Sequence, residues 1–155
     1  MEIEVGELLT EKNLTVACAE SCTGGLLTSK LTDIAGSSAY VKGAVVSYTN
    51  EIKNSVLHVK EETLKNFSAV SEQTAKEMAA NVRQILNTDI GVSVTGFAGP
   101  DGGTAENPVG TVYIGVSGAN GEKIQRFKFC GTRTEIKNKA VEAALILIQI
   151  YLTQK

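Results

Sequence analysis

A single histidine, His58, stands among the 155 residues, and that scarcity excludes a good deal of chemistry. A Ser-His-Asp hydrolase needs an imidazole at its nucleophile, whereas His58 falls in SVLHVKE, a loop or helical stretch where a surface or packing role is the ordinary one. Cysteine is scarce too: Cys18, Cys22 and Cys130 are odd in number and lack zinc-like spacing. Reduced thiols, no structural metal and no cofactor are expected. Basic excess is missing as well, since a net charge of -2 with acids and bases interspersed leaves no footprint for a nucleic-acid backbone. No run approaches the roughly 18 apolar residues of a membrane span, and MEIEVGELLTEKN carries acids where a signal peptide carries bases. A cytoplasmic chain with no membrane partner is the expectation. Only two prolines occur, both in one loop, and neither repeats nor linkers interrupt the chain. With 43% hydrophobic residues, positions 1–155 are expected to form one domain with one core.

What is present alternates. Ile3, Val5, Leu8 and Leu9 recur at helical spacing, and LTVACA (Leu14–Ala19) is short and apolar like a buried strand. LLTSKLTDI predicts a helix that stops near Ala35-Gly36, KGAVVSY a strand, and Asn50 to Phe67 short helical pieces. Ser71 is a fitting N-cap for a helix through Leu86 with Ala75, Met78, Ala79, Val82, Ile85 and Leu86 inward, and DIGVSVT then reads as a strand. TVYIGVSG and KIQRFKF flank Asn120-Gly121, a hairpin signal. Thr132 and Glu135 suit a capping box for a final helix to about Leu152, apolar enough to be largely buried, in part by a second subunit. Together these predict an α/β fold, a three-layer α/β/α sandwich with a mixed, mostly parallel sheet of about five strands.

In such sheets ligands bind beyond the carboxyl ends of strands, and three junctions qualify: AESCTGG, SYTNEIK and TGFAGPDGG. None is a Walker or dinucleotide motif. A serine at a strand-to-helix turn, as Ser21 is, ordinarily caps the helix; Tyr48 would ordinarily be a half-buried strand aromatic, and Lys53 a solvated cation. The functional alternative is a lysine whose pKa is lowered by burial and which replaces histidine as the base for a serine. Cys18, placed within a strand, and Cys22, without a resolving partner, are given no reaction.

The motifs AESCTGGLL, TDIAGSSAYVKGAVVSYTNEIK, SAVSEQTAKEMA, VSVTGFAGPDGG and NPVGTVYIGV, in this order over nearly the whole chain, resemble the CinA carboxy-terminal domain family. Its enzymatic members are nicotinamide mononucleotide deamidases. The resemblance implies a three-layer α/β fold, a homodimer or higher homo-oligomer, and hydrolysis of the nucleotide's carboxamide to nicotinic acid mononucleotide and ammonia in pyridine nucleotide recycling. It places the serine nucleophile on Ser21, the tyrosine on Tyr48 and the lysine on Lys53. It implies a substrate pocket shaped by Thr95 and Arg133, with Gly96 and Gly99 in the same glycine-rich loop. In the acyl-transfer scheme Lys53 takes the Ser21 proton directly or through Tyr48. N–H groups around Thr23, Gly24 and Gly25, or in TGFAG, would form the oxyanion hole and receive substrate. The chain departs from many relatives at Lys137 and Asn138, where they carry arginines, and at Phe97, where they carry an aliphatic residue. Some members are fused behind a pyrophosphatase-like domain, whereas here the deamidase-like part would act alone. Two other functions stay open: a non-catalytic nucleotide-sensing or interaction module linked to competence or DNA damage, and another serine-dependent amidase or esterase.

Overall fold

Strands β1 (Val16–Glu20) and β3 (Ile90–Gly96) are buried on both faces, as near-continuous apolar runs require when helices cover a sheet from either side. The computed structural model describes residues 1–154. Around these strands it places α1 (Glu2–Glu11), α2 (Leu26–Thr32), a short 3-10 turn (Ser37–Ala39) and β2 (Val41–Val46). Then come α3 (Asn50–Ser55), α4 (Glu61–Phe67), α5 (Glu72–Ile85), the hairpin β4 (Thr111–Gly118) and β5 (Gly121–Lys128), and α6 (Arg133–Thr153). The sheet order is β2-β1-β3-β4-β5. Its core β2-β1-β3 is parallel, and β4 and β5 extend it as antiparallel neighbours. The fold class is therefore α/β, a mixed sheet between two helical layers.

Side chains alternate across the strands, which divides the interior in two. Cys18, Val92 and Val94 pack with Val5, Leu27 and Ile148, the layer of α1, α2 and α6. Ala17 and Ala19 face Met78 and Val82 of α5. Ser71 caps α5, its hydroxyl accepting from Thr74 N–H at 3.1 Å. Helical spacing then buries Ala75, Met78, Ala79 and Val82 and brings Leu86 to the same cluster. Ile85, expected on that inner face, is instead 39% exposed, because the face continues from Val82 to Leu86 at i+4 and leaves Ile85 at its margin. Gly91 is what lets α5 approach β3 so closely: a Cβ there would stand 2.1 Å from Ala79 O.

The hairpin pairs Gly118 with Gly121, whose φ of +97° meets the turn's demand for a left-handed residue. At α6 the capping box forms in full: Thr132 Oγ1 accepts from Glu135 N–H and Glu135 Oε1 accepts from Thr132 N–H. Nine of the 21 residues of α6 are buried, Ala140, Ala144, Leu145 and Ile148 among them, so the helix is covered on one side and not largely buried as expected; Ile146 and Ile150 remain 45% and 43% exposed on its outer side. Among the described residues no helix is long and apolar enough to cross a membrane.

Candidate active site

The chain runs from β1 outward to β2 through α2, then crosses back over β1 to β3 through α3, α4 and α5. The strand order thus reverses at β1, and a crevice opens at the carboxyl ends of the three parallel strands. This topology brings the three sequence junctions side by side. Ser21 N–H donates to Val94 O at 2.9 Å and Ser47 N–H to Glu20 O at 2.8 Å, so the ladder continues just past the strands and holds the junctions in register.

Ser21 and Lys53 meet in this crevice. Lys53 Nζ lies 2.8 Å from Ser21 Oγ, 2.8 Å from Ser47 O and 3.3 Å from Tyr48 O. The lysine is only 2% exposed, and among the described residues no carboxylate pairs with it. Burial lowers its pKa from 10.5 to about 8, against a smaller opposing influence of Cys22. The three partners suit the neutral amine: its two hydrogens can go to the two carbonyls, which leaves the lone pair facing the serine hydroxyl. The ammonium form finds three acceptors in the same places, so the proton can come and go without rearrangement. Cys22, beside Ser21, is a buried thiol pushed up to about 12 by desolvation, and it stays protonated.

The turn after β1 is built on a residue that sequence reasoning passed over. Glu20 is fully buried, and its carboxylate accepts from Thr23 Oγ1 (2.7 Å), Leu27 N–H (2.9 Å), Thr28 N–H (2.9 Å) and Thr28 Oγ1 (2.6 Å). It does the capping that Ser21 would otherwise do, and so leaves the Ser21 hydroxyl to Lys53. Thr23, Gly24 and Gly25, expected to receive substrate, are not among the residues that line the crevice; the Leu27 and Thr28 N–H groups of α2 and the Thr23 hydroxyl are spent on Glu20.

Above the pair opens a cavity of about 250 Å³. Ser21, Tyr48, Lys53, Thr95, Gly96, Gly99 and Arg133, all candidates from sequence, line it together with Asn50, Ala69, Val70 and Asp101. Arg133, at the start of α6, donates from one arm to Gly99 O (2.7 Å) and from the other to Tyr48 Oη (2.8 Å). The tyrosine ring is 58% exposed, so it stands at the rim and its phenol is engaged by the arginine, not by Lys53. Thr95 Oγ1 donates to Ala69 O at 2.8 Å and braces the opposite wall. Gly99 has a φ of +78°, and a Cβ there would meet Val109 at 2.5 Å. Cys22, Ala98 and Gly99 line the cavity, and among the described residues their N–H groups donate to no other residue.

A family model for the CinA C-terminal domain matches residues 1–152. The chain belongs to the CinA C-terminal domain family.

The CinA-like protein of Endomicrobium trichonymphae is 50% identical over 150 residues, which cover 97% of this chain and 35% of that protein. This CinA domain spans 36% and 37% of the length of two further curated relatives. Among solved structures, the competence/damage inducible protein CihA from Agrobacterium tumefaciens is 42% identical, with a TM-score of 0.90 over 97% of this chain and 96% of that one. A CinA superfamily protein from Klebsiella pneumoniae is 33% identical, with a TM-score of 0.94 over 97% and 94%.

Three features of the CinA domain's site were not found from sequence: the Glu20 clamp, the Ala69–Val70 wall and the Asp101 carboxylate at the rim. For Glu20 a signal existed, namely a charged residue closing an apolar strand ahead of a helix that lacks a side-chain cap of its own. For the wall the motif SAVSEQTAKEMA marked the stretch but not its role, because Ala69 and Val70 are apolar and face the cavity only through the chain reversal between α4 and α5.

Proposed function

We propose that this CinA domain is an amidohydrolase that converts nicotinamide mononucleotide to nicotinic acid mononucleotide and ammonia through an acyl-enzyme on Ser21. The observation that carries this is the Ser21–Lys53 pair: a serine hydroxyl 2.8 Å from a buried amine whose pKa is lowered to about 8, at the floor of a cavity of about 250 Å³. The resemblance to deamidases of the family supplies the substrate. A buried, unpaired lysine is costly to a fold and suits a base, which favours an enzyme over a non-catalytic sensing module.

In the mechanism neutral Lys53 takes the Ser21 proton while Oγ attacks the amide carbon. The oxyanion faces N–H groups of the Cys22 turn and the Ala98-Gly99 loop, each donor being worth roughly 3 to 4 kcal/mol in comparable hydrolases. The Lys53 ammonium then passes its proton to the amide nitrogen, the C–N bond breaks, and ammonia leaves a nicotinoyl ester on Ser21. Water enters, Lys53 takes one of its protons, and the hydroxide attacks the ester carbon. The C–O bond breaks, the acid departs, and the proton returns to Ser21 Oγ. Arg133, with Tyr48 as its partner, is the cation that meets the 5′-phosphate.

The test is ammonia release from nicotinamide mononucleotide against a panel of other amides and esters, by wild type and Ser21→Ala. Wild type should prefer the nucleotide, and the folded variant should lose more than about a thousandfold in kcat. Turnover by Ser21→Ala at the wild-type rate would exclude the acyl-enzyme, and preference for another amide would exclude the substrate.

A further inference from the structure

The Asn107–Gly110 stretch, NPVG, lies outside the cavity lining, yet it reaches the cavity wall. Asn107 Nδ2 donates to Val70 O at 3.1 Å, while Oδ1 accepts from Tyr113 Oη at 3.1 Å and from Arg126 Nε at 3.4 Å. The amide can sit only one way round, since the reverse would set oxygen against the Val70 carbonyl and NH₂ against a guanidinium. Its backbone is locked as well: Thr104 N–H donates to Asn107 O and Asn107 N–H to Thr104 Oγ1, both at 2.9 Å. Arg126 adds a bond to Glu106 O at 3.0 Å.

The wall it touches is held both locally and from a distance. Ala69 and Val70 join α4 to α5 without regular structure, next to Ser68 at a φ of +73°. Three side-chain donors hold their carbonyls: Thr95 on Ala69 O, and on Val70 O both Ser68 Oγ from the same loop, at 3.2 Å, and Asn107, the one that reaches it from the far side of the β3–β4 connection. Thr95 lines the cavity itself, whereas Asn107 stands outside the lining, later in the same connection as Gly99, and ties that connection to the wall.

We propose that Asn107 is a positioning residue that sets the distance between the Ala69–Val70 wall and the glycine-rich loop, and thereby governs substrate affinity without touching the reacting atoms. The identity of the substrate rests on the function proposed above; the tether does not.

Asn107→Asp isolates this role. The carboxylate keeps the bonds from Tyr113 and Arg126 but places an oxygen where Nδ2 donated to Val70 O. KM for nicotinamide mononucleotide should rise about three- to tenfold, the worth of one such hydrogen bond, while kcat and its pH dependence stay close to wild type. Amide hydrogen exchange across residues 69–71 should quicken in the unliganded variant. Tyr113→Phe, which removes one of the donors that orient the amide, should move KM in the same direction by less. Loss of kcat in step with a lowered melting temperature and an unchanged KM would make Asn107 a fold support only and overturn the proposal, as would unchanged KM and exchange. Should wild type release no ammonia from the nucleotide, the substrate assignment fails and exchange alone decides the tether: faster in Asn107→Asp sustains it, unchanged overturns it.

Discussion

Arg133 donates to Tyr48 Oη at 2.8 Å across 85 residues of sequence and joins the first turn of α6 to the loop after β2. The bond gives the phenol a task at the cavity rim, while the amine that faces Ser21 is held by main-chain carbonyls. Tyr48→Phe should therefore raise KM severalfold and lower kcat by less than about tenfold, since only one hydrogen bond to a charged group is lost. A kcat collapse as deep as that of Ser21→Ala, with KM unmoved, would return the phenol to the proton path.

Lys53 sets the pH dependence. A base works when deprotonated, so kcat/KM should rise with pH through about 8 and level off above it. Lys53→Arg should lose activity and the rising limb alike, because a guanidinium stays protonated throughout this range. Stability carries the same signature. The folded amine binds its proton more weakly than the unfolded one, so below about pH 8 this residue lowers stability, and the penalty is relieved as pH rises from about 8 towards 10.5. Denaturant titrations of wild type against Lys53→Met over that window should show wild type gaining on the variant; parallel curves would mean an unshifted lysine.

Phosphate anchoring should show in the substrate series. If Arg133 meets the 5′-phosphate, nicotinamide riboside should have a kcat/KM at least about tenfold below that of its mononucleotide, and Arg133→Ala should erase most of the gap. Equal values for the two substrates in wild type would remove the phosphate from the recognition scheme.

Glu20→Gln tests the clamp under the nucleophile. Each carboxylate oxygen accepts from one backbone N–H, Leu27 on one side and Thr28 on the other, so an amide placed either way turns an NH₂ against a donor that cannot reverse. The cost should be about 1 to 3 kcal/mol in chemical unfolding, with kcat reduced as the Ser21 turn loosens. A variant as stable and active as wild type would show that the turn holds without it.

Local signals decided the elements, and they were legible. The helix begun by Ser71, the reciprocal cap of Thr132 and Glu135, and the turn at Gly121 each depend on residues within four positions of one another, which sequence displays directly. So does the placement of Ser21, Tyr48 and Thr95 at strand ends. Tertiary structure alone decided which strand ends share a crevice, because the order β2-β1-β3 follows from a crossover that no local pattern records. It decided that Lys53 is a buried amine with a lowered pKa and not a solvated cation, since desolvation is a sum over neighbours from distant segments. It also decided that Gly96 and Gly99 line the cavity while Gly24 and Gly25 stand outside its lining: all four stand in glycine-rich turns after strands, but the first turn folds around the buried Glu20, which takes the Leu27 and Thr28 N–H groups.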